Sequence, residues 1–207
     1  MARNHGKEKN MDGENIYNPL LSEVRWYFAQ SVFNTSCFYS AVNRCEKIKS
    51  NINKWTVAFS IFAVISVFLQ LISLKSGFNG FITGVSYFSL LVSAGSMINQ
   101  VASNKTIDNL IVKYKIAAEE YRSLRESFMN LIRIIYQKGD PDFIGKQCES
   151  FLEKYKQIGK MSPDTTTKDY KNAQDSLGLK GEGESFTWSD EQIDRLLPTG
   201  LKLADYK

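Results

Sequence analysis

The sequence predicts an all-α integral membrane protein: a two-transmembrane helical hairpin continued by a cytoplasmic antiparallel helical stalk. Three observations predict it. Between Lys54 and Lys105 the only charged residue is Lys75. Outside that window, by contrast, Lys, Arg, Asp and Glu are dense. The two segments bordering the window repeat apolar residues at alternating steps of three and four, the signature of a helix with one buried face.

Residues 1–18, beginning "MARNHGKEKNMDGEN", are polar and expected to be disordered. They lack the apolar core of a cleavable signal, so the N-terminus is expected in the cytoplasm. Residues 19–54 form the first stalk helix, in which Leu21, Val24, Phe28, Ser31, Thr35, Phe38, Val42, Cys45, Ile48 and Ile52 keep a near-heptad rhythm. The rhythm has one irregularity, at Cys45 to Ile48.

Residues 55–101 form the hairpin. A helix needs about 20 mostly apolar residues to cross about 30 Å of hydrocarbon. Residues 55–74 and 78–101 both meet that length. Between and beside them Lys75, Gly77, Asn79 and Gly80 supply turn chemistry. Basic residues set orientation: Arg44, Lys47, Lys49 and Lys54 precede the first span and Lys105, Lys113 and Lys115 follow the second. Excess Lys and Arg near span ends marks the cytoplasmic side. Both termini are therefore expected in the cytoplasm.

Residues 102–159 return through the stalk. Ile107, Leu110, Tyr114, Ala117, Tyr121, Leu124, Phe128, Leu131 and Ile135 make a second seam, and "KGDP" at 138–141 ends the helix. Two seamed arms of about 50 Å each, joined by a tight hairpin, bury both seams by running antiparallel. A further helix over Asp142–Ile158 places Phe143, Cys148 or Gln147, Phe151 and Tyr155 on one side. Residues 160–185 read as a linker rich in Gly, Ser, Thr and Lys. Residues 186–207 read as a docking tail: Phe186 and Trp188 precede a capping box of Ser189 and Gln192, and Pro198 stops the helix. Phe186 and Trp188 are the candidate partner-docking residues.

Catalysis finds little footing. The single histidine is His5, in the polar N-terminal stretch, so no histidine triad or histidine metal site is expected. "GLKGEG" is glycine-rich but follows no strand and reads as flexible chain. Acidic neighbours such as Glu119 and Glu120 lie on helix faces rich in Lys and Arg, where ion pairing is their ordinary role. Cys37, Cys45 and Cys148 are odd in number and lack a CxxC pair, so they read as reduced thiols. No catalytic, cofactor or metal residue is assigned. The net charge of +4 is explained by the membrane-flanking lysines and gives no reason to expect nucleic acid.

One feature remains inside the second span. Ser86, Ser89, Ser93, Ser96 and Gln100 continue the Ile107 seam backwards through Ser103 without a break in rhythm. In water that face is apolar; in lipid the hydrophobic drive vanishes and small or hydrogen-bonding residues mediate helix contact. The stripe is read as helix packing or, in an oligomer, as a pore lining.

The layout resembles the SLATT group of two-transmembrane effector domains. The resemblance rests on "RWYFAQSVFNTSCFYSAVNRC", on the hairpin "KWTVAFSIFAVISVFLQLISLKSGFNGFITGVSYFSLLVSAGSMINQ" and on "YKIAAEEYRSLRESFMNLI", over about residues 20–160. It implies a membrane effector that oligomerises and forms a pore or disrupts the membrane in antiphage defence. It also implies activation by a nucleotide signal or a cytoplasmic sensor protein, and no catalytic residues. The competing expectation is a non-conducting scaffold that recruits a cytoplasmic partner through its stalk or tail.

Overall fold

The computed structural model describes residues 5–73, 79–179 and 187–206. They are helical, with no strand among them. Two long helices, α1 (His5–Ser73) and α2 (Asn79–Tyr136), are followed by α3 (Pro141–Met161), α4 (Thr167–Ser176), α5 (Asp190–Leu196) and a 3-10 turn at Leu203–Asp205. Of the expected turn, Lys75 and Gly77 lie outside the described residues, whereas Asn79 and Gly80 already belong to the first turn of α2. The chain divides into two compact units: residues 1–41 with 113–207 form unit 1, and residues 42–112 form unit 2.

In unit 1 the seams meet as the heptad pattern requires. Leu21, Val24, Phe28, Ser31, Thr35 and Phe38 of α1 are buried, as are Tyr114, Ala117, Tyr121, Leu124, Phe128, Leu131 and Ile135 of α2. Phe38 stacks on Tyr121 at 5.7 Å, and Tyr27 stacks on Phe128 at 5.9 Å. Earlier residues of α1 thus face later residues of α2, so these segments are antiparallel. The polar seam positions back-bond: Ser31 donates to Tyr27 O at 2.7 Å and Thr35 to Ser31 O at 2.8 Å. Each buried hydroxyl therefore has its acceptor.

The "KGDP" stretch ends α2 by local geometry. Lys138 takes a left-handed φ of 54°, and the Gly139 amide donates to Ile134 O at 3.0 Å. A Cβ on Gly139 would sit 2.6 Å from Ile134 Cγ2, so the glycine permits this close return. Asp140 then caps α3 by accepting from the Asp142 amide, with Pro141 in the first turn.

Several expectations need correction. The 1–18 segment is not wholly outside the helix, because α1 begins at His5; adding residues to an existing helix avoids the cost of nucleation. Residues 160–185 are not simply a linker. They carry the end of α3 and all of α4, whose Thr166 and Asp169 form a reciprocal capping box. Asp169 and Ala173 are fully buried, so the polar composition hid an anchored helix. On α3, Phe143 is exposed and Ile144 takes its place on the buried face with Cys148 and Ile158. The true spacing is 144, 148, 151, 155, 158, and residue 143 stands about 100° away.

In unit 2 the burial pattern inverts. The large apolar residues point outward: Phe62, Phe68, Phe88, Leu91, Ile98 and Val101 are all more than half exposed. Buried instead are Thr56, Ala63, Ser66, Ser86 and Ser89. Val42 and Cys45 are buried, but Ile48 is 41 % exposed. Two successive three-residue steps from Val42 leave Ile48 about 100° short of the position a four-residue second step would reach.

Candidate functional site

The candidate site in unit 2 is the polar seam of the helix pair. Ser86 donates to the Ser66 carbonyl at 3.1 Å, and Ser66 Oγ lies 3.2 Å from Ser89 Oγ. Ser66 also reaches Phe62 O at 2.9 Å, and Ser89 donates to Val85 O at 2.7 Å. Each hydroxyl has one proton and two lone pairs, so this set is satisfied internally without water. Of the stripe read from sequence, Ser86 and Ser89 face α1 in the interior. Ser93, Ser96 and Gln100 are half-buried, and Ser96 back-bonds to Ser93 O at 2.8 Å.

Further along, a second polar group closes the seam. Asn53 Oδ1 accepts from Gln100 Nε2 at 2.9 Å and from Asn104 Nδ2 at 3.1 Å. Lys49 pairs with Asp108 at 2.6 Å. Sequence reading had the α2 half of this arrangement and lacked its α1 half. Asn53, Thr56, Ser60, Ala63 and Ser66 recur at steps of three and four along the first apolar segment, so the α1 half has a stripe of its own, and pairing with α2 gives it partners. Ile107 and Leu110, at the unit 2 end of the stalk seam, are half-buried.

Gly84 and Gly95 do not mediate the contact between α1 and α2. A methyl group on either would meet nothing within 4 Å, and Ala94 is exposed. Close approach within the pair is achieved by serine and alanine instead. Ser89→Leu is therefore expected to destabilise the helix pair by about 1–3 kcal/mol through overpacking. Leu91→Ala, on the exposed face, should change stability by less than about 0.5 kcal/mol in the same detergent unfolding titration. Equal effects would contradict this seam.

The C-terminal segment is the second candidate. Phe186 lies outside the described residues. Trp188 is buried within its own chain, and its Nε1 donates to Gln30 Oε1 at 3.1 Å. The tail therefore docks on α1 of the same molecule. The capping box forms as spaced: the Gln192 amide donates to Ser189 Oγ and the Ser189 amide to Gln192 Oε1. Arg25, only 1 % exposed, meets both aspartates of α5. Its Nη1 is 2.8 Å from Asp194 Oδ1 and its Nη2 3.2 Å from Asp190 Oδ1. Tyr136 donates toward the carbonyls of Leu201 at 3.1 Å and Lys202 at 2.9 Å. Arg25, Asp190 and Asp194 were not singled out by pattern. Their signal was an arginine beside an apolar seam position and two aspartates four residues apart.

The thiols are enclosed. Cys37, Cys45 and Cys148 are free and buried, and burial pushes the Cys148 thiol up to about 11. Among the described residues no three His, Cys, Asp or Glu side chains cluster as metal ligands.

A stretch of α1, Asn18–Phe68, contains a window long and apolar enough to cross a membrane, and only 17 % of that window is buried. No curated protein and no solved structure matches this chain. Residues 20–191 match the SMODS and SLOG-associating 2TM effector domain family 4, SLATT_4, and the chain belongs to that family.

Proposed function

We propose that this protein is an inner-membrane effector that crosses the bilayer twice, assembles into a homo-oligomer and permeabilises the membrane when activated, in antiphage defence. Family membership implies a membrane effector of conflict and defence systems. The observation that carries the finer reading is the inverted burial of unit 2. Water would favour the opposite arrangement, with Phe and Leu inside and serine outside. Hydrocarbon favours the one observed, because lipid tails solvate Phe62, Phe88, Leu91 and Ile98 while hydroxyls find partners within the pair.

Both termini lie in the cytoplasm in this reading, since the basic residues flank the apolar segments on that side. Copies meet through the membrane face that carries Gly80 and Gly84, spaced four apart and open to close approach. A cytoplasmic sensor protein or a nucleotide signal supplies the trigger, and no catalytic residue is required. Permeation would draw on the half-buried end of the stripe, Ser93, Ser96 and Gln100. Ser86 and Ser89 would have to leave their partners on α1 first.

Overexpression in cells carrying a potential-sensitive dye tests the reading: prompt depolarisation is expected, and an unchanged potential at confirmed membrane expression would sink it. Replacing Ser93 and Ser96 by leucine should reduce the leak, and an unreduced leak would remove the stripe from the conducting path. The scaffold alternative loses its clearest docking residue, because Trp188 is enclosed by its own chain.

A further inference from the structure

We propose that residues 187–206 are a releasable clasp that closes over Arg25 and restrains α1 of unit 1; the restraining role rests on the effector reading above. The grip combines a few strong points. Arg25 is bound by Asp190 and Asp194, Trp188 by Gln30, and the Leu201 and Lys202 carbonyls by Tyr136. Ile193, Leu197 and Leu201 add a small buried apolar base. Trp188 also meets Phe33 edge-on at 6.5 Å.

Three features make this a clasp and not one more core helix. First, α5 has seven residues and the following 3-10 turn three. Isolated helices shorter than about 12 residues do not persist in water. The segment is therefore ordered by docking and loses its structure on leaving. Second, its central anchor is ionic. Asp190 is 67 % exposed, so water and salt reach half of the Arg25 pair, unlike a sealed apolar contact. Third, opening leaves a guanidinium among Val24, Phe28 and Ala29, all essentially inaccessible while the segment is docked. An uncovered charge in such surroundings is costly unless it finds water or another anion, so open and closed forms are distinct states. Asp194, Leu197 and Leu201 lie beyond the matched residues 20–191, so this closure extends past the family domain.

The test uses the full-length chain with Asp190→Asn and Asp194→Asn together. Both changes keep side-chain size, and both are in the clasp, so the α1–α2–α3 core should fold as before. Amide hydrogen exchange is expected to quicken roughly tenfold or more across 187–206, with 121–135 of α2 unchanged. Depolarisation is expected at lower expression than for the wild type, and Trp188→Ala should act in the same direction. Unchanged exchange in 187–206 would overturn the clasp. Faster exchange, with a wild type that depolarises and variants that do so no more readily, would overturn its restraining role. Absence of depolarisation in wild type and variants alike would overturn the effector reading, while the exchange rates still decide whether the segment opens.

Discussion

Phe128→Ala is expected to destabilise unit 1 by about 3–5 kcal/mol, the usual cost of deleting a buried phenyl ring and leaving a cavity. Phe128 is fully inaccessible, stacks on Tyr27 at 5.9 Å and meets Phe151 edge-on at 5.6 Å. It thus joins α1, α2 and α3 at one point, and no neighbouring ring closes the gap without breaking another contact. Domains of this kind have about 5–15 kcal/mol to lose. A single truncation therefore removes a large share of the total. Phe143→Ala removes the same ring from a half-exposed site and should cost under about 1 kcal/mol. Urea unfolding of the detergent-solubilised chain compares the two. Similar losses would place Phe143 in the core and contradict the register of α3.

Phe128 was legible because the seam that contains it is long. Over Tyr114 to Ile135 every predicted position is buried, and each residue of the pattern reinforces the phase of the next. Short segments lack that redundancy. Residues 143 and 144 are both large and apolar, and only the docking of α3 on α2 chooses Ile144. The α4 helix was hidden for a different reason. Its buried residues include Asp169 and Gln174, so composition marked it as solvent-loving chain. What holds it is hydrogen bonding: Thr166 with Asp169, the Tyr114 hydroxyl to Asp164 O at 2.8 Å, and Ser36 with Ser176 at 2.8 Å.

The serine stripe shows the same division. Its rhythm on α2 could be read directly, since five polar residues recur in a charge-free stretch. Its partner stripe on α1, Asn53, Thr56, Ser60, Ala63 and Ser66, has the same rhythm with fewer hydroxyls, and which serines bond to which is fixed only when Ser66 stands opposite Ser86 and Ser89. The clasp was half legible. Ser189 and Gln192 announce a helix start by spacing, whereas Arg25 is recognisable as its receptor only once a contact 165 residues distant in sequence is formed.

Raising the pH above about 9 is expected to unfold unit 1 progressively, because its buried thiols and phenols resist ionisation. Burial, then the negative charges of Glu23 and Glu149, hold Cys148 up to about 11 against an ordinary 9.0. Cys37 is raised chiefly by burial, with Asp169 adding to it and a hydrogen bond to Thr165 opposing. Tyr27, Tyr121, Tyr136 and Tyr155 are all raised above 10.0, burial being the main cause in each. A group whose folded-state pKa is raised contributes its stability in full below the unfolded value. That contribution is lost as pH climbs through the folded value, since the unfolded chain ionises first. The melting temperature of the helical core should therefore hold from pH 7 to about 9 and then fall, with tyrosinate absorbance rising as helicity is lost. A melting temperature at pH 11 equal to that at pH 8 would refute the argument. The two classes of group separate by onset: in the Cys37→Ala, Cys148→Ala double variant, compared with its own melting temperature at pH 8, the decline should begin near 10.0, where the tyrosines alone remain to titrate.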